Sequence, residues 1–370
     1  MPQQPSASGS SGSSDSPRSG RGLSILLMFA CIVVVAAGVR SASSIITPIL
    51  AAAFISMLAI LPLSLLQRRL RLPRWLALLV VLGATIVVTL GTGYYLGQSV
   101  ASISPELPVY ERQLKTLVLD ALNAAKERGL DIEPEKIIAS ITDWKLADFA
   151  DIIFRSLATV LQNFFFVLLV SAFIIAEASA FPEKMAAAFP NATRAGAFGG
   201  VSEKIRSFLV VITQLNLAQA IVNYIACISL GVPFAFLLSF VVFFFNYIPT
   251  LGAIIASGAV VAITLVTKGW TAAIIMGAVQ VAAGVVFGSI MQPKMLGDRL
   301  GLSPLVVLLS LVVWGYLLGV AGMFFAVPLT IIVKIVLDST DDLRWLSVLL
   351  GDASGLKRAP VARDGADAAA

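Results

Sequence analysis

Apolar residues run in long blocks along most of this chain, and polar residues gather in short links between them. The blocks cover residues 23–39, 45–66, 75–97, 152–176, 208–230, 231–267, 271–291 and 303–337. About 20 apolar residues in a helix span the hydrocarbon of a bilayer. The pattern predicts an all-α polytopic membrane protein with about eight transmembrane elements.

Two blocks in the C-terminal half are interrupted. Residues 231–267 carry no charge, but their middle reads FFFNYIPTLG, with Asn246, Pro249 and Gly252 breaking the run. Proline lacks the amide hydrogen and clashes with the carbonyl four residues back, so a continuous helix here is disfavoured. The second stretch follows a polar link carrying Pro293, Lys294, Asp298, Arg299 and Gly301. It is then uncharged until Lys334 and is punctuated by Pro304, Gly315, Gly319, Gly322 and Pro328. Such backbone is tolerated at membrane depth only where protein or water satisfies the freed groups. Both stretches are therefore expected to be broken or re-entrant elements beside a cavity. Paired broken segments are the best sequence pointer to a transporter site. Gly284 and Gly288, in the block between them, have a spacing suited to close helix packing.

The link QRRLRLPR carries Arg68, Arg69, Arg71 and Arg74 with no acid, which places it on the cytoplasmic side. Residues 98–151 hold ten acids against six bases and fall on the opposite side. There, Leu114, Leu117, Val118, Ala121, Leu122 and Ala125 recur with helical periodicity. A second short helix is expected to begin at Pro134, with Ile137, Ile141 and Trp144 on one face. This segment is expected to pad the membrane surface or a neighbouring subunit. The link 177–207 is weakly basic and cytoplasmic, as is the C-terminal tail with Arg344, Lys357, Arg358 and Arg363.

Residues 1–22 are rich in Ser, Gly and Pro and form a disordered cytoplasmic tail. A signal peptide is the competing assignment for residues 18–39. Against it, a second apolar block begins at Ile45 with no small-x-small cleavage site between. The chain thus divides into the tail 1–22, three spans in 23–97, the extracytoplasmic helical segment 98–151 and a transport region 152–337. A cytoplasmic tail, 338–370, is disordered from about 351.

Charged residues make up 13% of the chain, against about 25% in soluble proteins. That is too little polar surface for a water-soluble fold. The net charge of +5 records orientation in the membrane and does not imply a nucleic-acid partner. Cys31 and Cys227 both lie in apolar runs, so neither a disulfide framework nor a cysteine metal site is expected. The chain has no histidine, which removes His-based triads, HExxH zinc helices and histidine proton relays. No apolar block holds an internal aspartate, which removes an intramembrane aspartyl protease. No enzyme activity, cofactor or metal is expected.

The block 208–230 carries Asn216, Gln219 and Asn223 at i, i+3 and i+7, so three amides share one helical face, with Gln214 nearby. Helix–helix hydrogen bonding and cavity lining both explain such a face, and the two are compatible. Asn216, Gln219, Asn223, Asn246 and Gln292 are the candidate solute-binding residues. Lys294 could hold an anion or a ligand oxygen, although an interfacial lysine snorkelling to headgroups explains it as well. Pro249, Gly252, Pro293, Gly301, Pro304, Gly315, Gly319, Gly322 and Pro328 are candidate hinge or shaping positions.

These motifs resemble the AI-2E transporter family, the bacterial autoinducer-2 exporter group. The resemblance rests on Gln214 and Gln219, Gly231-Val232-Pro233, Asn246-Tyr247-Ile248-Pro249-x-Leu251-Gly252 and Gln292-Pro293 with Gly297. It continues through Gly301-Leu302-Ser303-Pro304-Leu305, Ser310, Gly315, Gly319, Gly322-Met323 and Val327-Pro328-Leu329 to Lys334. It extends over about residues 23–340. The family's FIPxxG pattern has Tyr247 in its first position here, and Ser303 stands where many members have histidine. The resemblance implies an inner-membrane protein of often eight helices, working as a homo-oligomer. It also implies export of the furanone signal autoinducer-2 or, in some branches, Na⁺(Li⁺)/H⁺ antiport.

Secondary transport of a small polar solute by alternating access, with a possible coupling cation, is the expected function. Antiport is the first alternative, and the lack of an intramembrane carboxylate in the last four apolar elements counts against it. A non-transporting assembly protein of the bilayer is the second, and it leaves the two broken elements unexplained.

Overall fold

The computed structural model describes residues 19–103, 105–127, 146–177, 184, 187, 192–296, 302–338 and 344–351. Its helices are α1 (Ser19–Ser41), α2 (Ser43–Arg69), α3 (Arg74–Ile103), α4 (Leu107–Glu127), α5 (Leu146–Glu177) and α6 (Ala192–Ser229). They continue with α7 (Ala235–Phe245), α8 (Leu251–Ala283), a π-helical turn (Gly284–Met291), α9 (Gln292–Leu296), α10 (Pro304–Asp338) and α11 (Arg344–Leu350). Among the described residues, five helices are long and apolar enough to cross a membrane, and Asn163–Glu177 and Ala235–Phe245 are shorter apolar helices. The chain is an all-α, multi-pass membrane protein.

Several helices outrun the apolar blocks that predict them. α5 starts at Leu146, ahead of the block at 152. α6 starts at Ala192, well inside the link expected as 177–207, and Arg206 pairs with Glu203 one turn away at 2.7 Å. α4 is the amphipathic helix predicted between spans three and four. Tyr110 is buried on it and donates to Glu106. The second helix expected there, at 134–144, lies outside the described residues, as do residues 1–18 and 352–370 of the two tails.

Small polar residues join α2 and α5, and an arginine joins α3 to them. Ser171 Oγ donates to Ala52 O at 3.1 Å, and Ser56 Oγ lies 2.7 Å from Ala52 O and 3.2 Å from Ser171 O, all buried. Arg74, at the head of α3, donates to the carbonyls of Ile175 and Ala176 at 3.2 and 3.3 Å. Both carbonyls lie in the last turn of α5.

Beyond α7, three reversals fall within the described residues. The first reversal lies between α7 and α8, at residues 246–250. Here a Cβ added to Gly252 would sit 1.7 Å from Phe245 O, so only glycine lets the two arms meet. Where the arms end, a Cβ on Gly231 would lie 3.2 Å from Lys268 Nζ, so residues 231–268 return to their starting point. The second reversal is at Gly269 (φ 80°), which brings Val261 against Gly277. The third is at Gly319 (φ 68°, ψ −149°) inside α10. Trp314 Nε1 there donates to Thr330 Oγ1 at 3.1 Å, whereas in an unbroken helix these residues would stand about 24 Å apart. A Cβ on Gly322 would lie 1.9 Å from Trp314 O. Both stretches expected to be broken are therefore tight helical hairpins.

The hairpins approach α6 from opposite ends. The first starts where α6 finishes, with Val232 N donating to Cys227 O at 2.8 Å. The second has its base beside the other end, where Leu302, Ile331 and Ile335 pack with Ile205, Phe208 and Leu209. Its first-arm start is also tied to α11 by Ser303 N donating to Leu350 O at 3.3 Å.

One expectation fails within the chain. Cβ atoms on Gly284 and Gly288 would meet nothing within 4 Å, so this pair makes no close helix contact here. The segment is π-helical and runs straight into Pro293. A wider turn relieves the clash that proline makes with the preceding carbonyl.

Candidate functional site

The tip of the first hairpin lies at mid-depth. Tyr247 packs edge-on against Phe54 of α2 with ring centroids 5.7 Å apart. Phe54 is about 16 Å from the start of α2 and about 22 Å from its end by helical rise. Residues 246–250 are thus far from both ends of the bundle. Thr250 (φ 63°, ψ −60°) completes the turn in a backbone region that non-glycine residues rarely occupy.

The tip is held from two directions by different forces. Toward α6, Tyr247 Oη is hydrogen-bonded to Thr213 Oγ1 at 2.7 Å. Toward the second hairpin, the contacts are apolar. The Tyr247 ring lies 4.3 Å from that of Phe324, and Ile248 packs with Leu311 and Ala326 beside Trp314 and Met323.

The amide face of α6 is buried as a unit: Asn216, Gln219 and Asn223 are 4%, 8% and 1% exposed. Their surroundings differ. Asn223 Nδ2 donates to Ser239 Oγ of α7 at 3.0 Å, and its Oδ1 accepts from Gln280 Nε2 of α8 at 2.9 Å. Both ends of that amide are used in joining three helices. Asn216 Nδ2, one turn from Thr213, is buried without an acceptor, and so is Asn246 Nδ2 on the hairpin tip. A buried donor without a partner costs about 1–3 kcal/mol. Two such donors flank the Thr213–Tyr247 hydrogen bond along their own segments.

Pro328 is inside the return arm of the second hairpin and has no amide hydrogen to offer the carbonyl of Phe324, four residues back. The Phe324 ring packs on Tyr247. The tip region therefore carries two amide donors and aromatic walls from Phe54, Tyr247 and Phe324, and Pro328 gives the Phe324 carbonyl no helical hydrogen bond of its own.

Other candidates are spread out. Gln214 is exposed, off the buried amide face. Gln292 is half-buried and Lys294 exposed on α9, with Pro293 between them. Gly252 and Gly322 are close-approach positions, Gly319 is a turn, and Gly315 faces Met323 across the second hairpin. Pro249 is in the first tip, and Pro304 opens α10 at its first helical position. Gly301 lies outside the described residues.

Sequence reasoning passed over Gln280, Ser239, Thr213 and Phe324. Gln280 left a signal, being an amide inside a charge-free block. Ser239, Thr213 and Phe324 are ordinary residues of membrane helices, and only the hairpin fold gives them their roles.

The family model described as "AI-2E family transporter" matches residues 23–342. The chain is 32% identical over 333 residues to "AI-2 transport protein TqsA" of Escherichia coli K12, covering 90% of this chain and 96% of that protein. It is 29% identical over 344 residues to "Putative transport protein YhhT" of the same organism, covering 92% and 97%. A "Putative transport protein" of Haemophilus influenzae is 29% identical over 339 residues, covering 90% and 97%.

Proposed function

The chain belongs to the AI-2E family of transporters, and from that premise we propose that it exports a small, neutral, hydroxyl-rich solute of the autoinducer-2 kind across the bacterial inner membrane. The observation that carries the site assignment is the pair of buried amide nitrogens without acceptors, Asn216 Nδ2 and Asn246 Nδ2. Solute oxygens accept from these two donors, and a solute hydroxyl donates to the freed carbonyl of Phe324. Gln219 extends the polar face, and Gln292 and Lys294 serve the cytoplasmic approach. A neutral solute suits the site, since amides and a carbonyl satisfy hydroxyl groups without a compensating charge.

Alternating access follows from the unequal bonding of the first tip. Hydrogen bonds tie the first hairpin to α6 and the second arm of α8 through Ser239, Asn223, Gln280, Tyr247 and Thr213. The contacts at Phe324, Leu311 and Ala326 are apolar and non-directional. The first hairpin, α6 and α8 move as one body against the second hairpin, and the solute site at their boundary opens to one side and then the other. Both termini are cytoplasmic in this proposal, and the basic link 68–74 supports that orientation. Homo-oligomerisation belongs to the same proposal.

The test is flux in proteoliposomes, with and without Na⁺ and pH gradients. Efflux of autoinducer-2 or a related polyol supports solute export. Quenching of a pH dye driven by Na⁺ or Li⁺ with no organic solute favours antiport, and absence of any flux favours a scaffold.

A further inference from the structure

Arg40 is a cation that orientation does not explain. It closes α1 and stands at the start of α2, whereas Arg68 and Arg69 stand at the far end of that helix. The positive-inside bias that accounts for residues 68–74 therefore counts against Arg40. Among the described residues it has no carboxylate partner. Its guanidinium carbon lies 4.4 Å from the ring centroid of Tyr316. A ring satisfies the flat face of a guanidinium but none of its N–H donors, which radiate in the plane.

Arg40 lines an open surface cavity of about 520 Å³ together with Ser43 and residues 315–319, and both Arg40 and Tyr316 are exposed in it. None of the lining residues is acidic. Ser43 is the first residue of α2, with only Ala42 between it and the end of α1, and offers a hydroxyl. A stacked arginine with open edges and a hydroxyl thus face one space, beside the Gly319 turn.

We propose that this cavity binds a phosphate-type oxyanion, supplied by an anionic phospholipid headgroup or by free phosphate. Arg40 contributes charge and a planar fork suited to phosphate oxygens, Tyr316 fixes the plane, and Ser43 completes the donor set. The bound anion ties the α1–α2 corner to the tip of the second hairpin, which sets how freely that hairpin moves. This site is separate from the amide site and stands or falls independently of the transported solute.

The test uses the purified full-length chain with two probes. Inorganic phosphate is titrated in uncharged detergent by calorimetry. Retention of phosphatidylglycerol over phosphatidylcholine is read by native mass spectrometry from mixed nanodiscs. Phosphate binding identifies the free ion and selective phosphatidylglycerol retention identifies the lipid; either supports the site when it depends on Arg40. Arg40→Gln is expected to weaken binding at least about tenfold. Arg40→Lys weakens it less, because lysine keeps the charge but loses the fork. Arg68→Gln, at the other end of α2, leaves it unchanged. Failure of the wild type to bind either probe overturns the proposal, as does an Arg40→Gln variant that binds normally or an Arg68→Gln variant that loses as much. Should Arg40→Gln not fold, Arg40→Lys decides: severalfold weaker binding supports the site and unchanged binding refutes it.

Discussion

Trp314 Nε1 donates to Thr330 Oγ1 at 3.1 Å across sixteen positions of a segment with no charge between them. That bond exists only because the chain reverses at Gly319. With its counterpart around Pro249, it converts two apolar stretches into hairpins, and the tip of the first packs against the flank of the second.

The reversal predicts a cross-link. With Cys31 and Cys227 replaced, cysteines at positions 315 and 323 should oxidise to a disulfide, since a Cβ at 315 would lie 2.9 Å from Met323 Cγ. In a continuous helix these positions stand about 12 Å apart, beyond disulfide reach. A gel-shift or mass measurement on the oxidised double variant decides, and a free-thiol product would rule out the hairpin.

Glycine requirements should differ sharply between neighbouring positions. Gly252→Ala and Gly322→Ala place a methyl against backbone carbonyls at 1.7 and 1.9 Å. Each should lower stability by about 3 kcal/mol or more, the upper end for overpacking, because backbone cannot step aside as a side chain can. Gly258→Ala, in open space, should be neutral or slightly stabilising. Thermal melts of the three purified variants make the comparison.

The buried chain Gln280–Asn223–Ser239 should behave as one unit. Gln280→Leu or Asn223→Leu alone leaves a partner buried without its bond and should cost about 1–3 kcal/mol. The double variant should cost less than the sum, since neither orphan then remains. Strict additivity in the melts would show that the two amides do not act together.

Much of this architecture was legible in the sequence. Asn246, Pro249 and Gly252 marked the first break, and the glycines around 319 marked the second, because backbone geometry limits what can stand there. The spacing of Asn216, Gln219 and Asn223 gave the shared face correctly. It could not tell which amide is engaged, since Asn223 owes its partners to Ser239 and Gln280, distant in sequence. Gly284 and Gly288 misled for the same reason: spacing says where a helix could be approached, not what approaches it. Thr213 and Phe324 carry no local mark and acquire meaning only when the tip docks between α6 and the second hairpin.

In the proposed mechanism the two unpartnered amides at the first tip hold the solute. The most direct measurement of this is efflux of autoinducer-2 from proteoliposomes containing wild-type, Asn216→Ala, Asn246→Ala or Gln214→Ala protein. Loss of one hydrogen bond to the solute is worth about 0.5–1.5 kcal/mol, so each tip variant should transport severalfold less efficiently. The Gln214 variant, exposed on the same helix, should match the wild type. Wild-type rates in both Asn216→Ala and Asn246→Ala, at equal reconstituted amounts, would contradict the assignment.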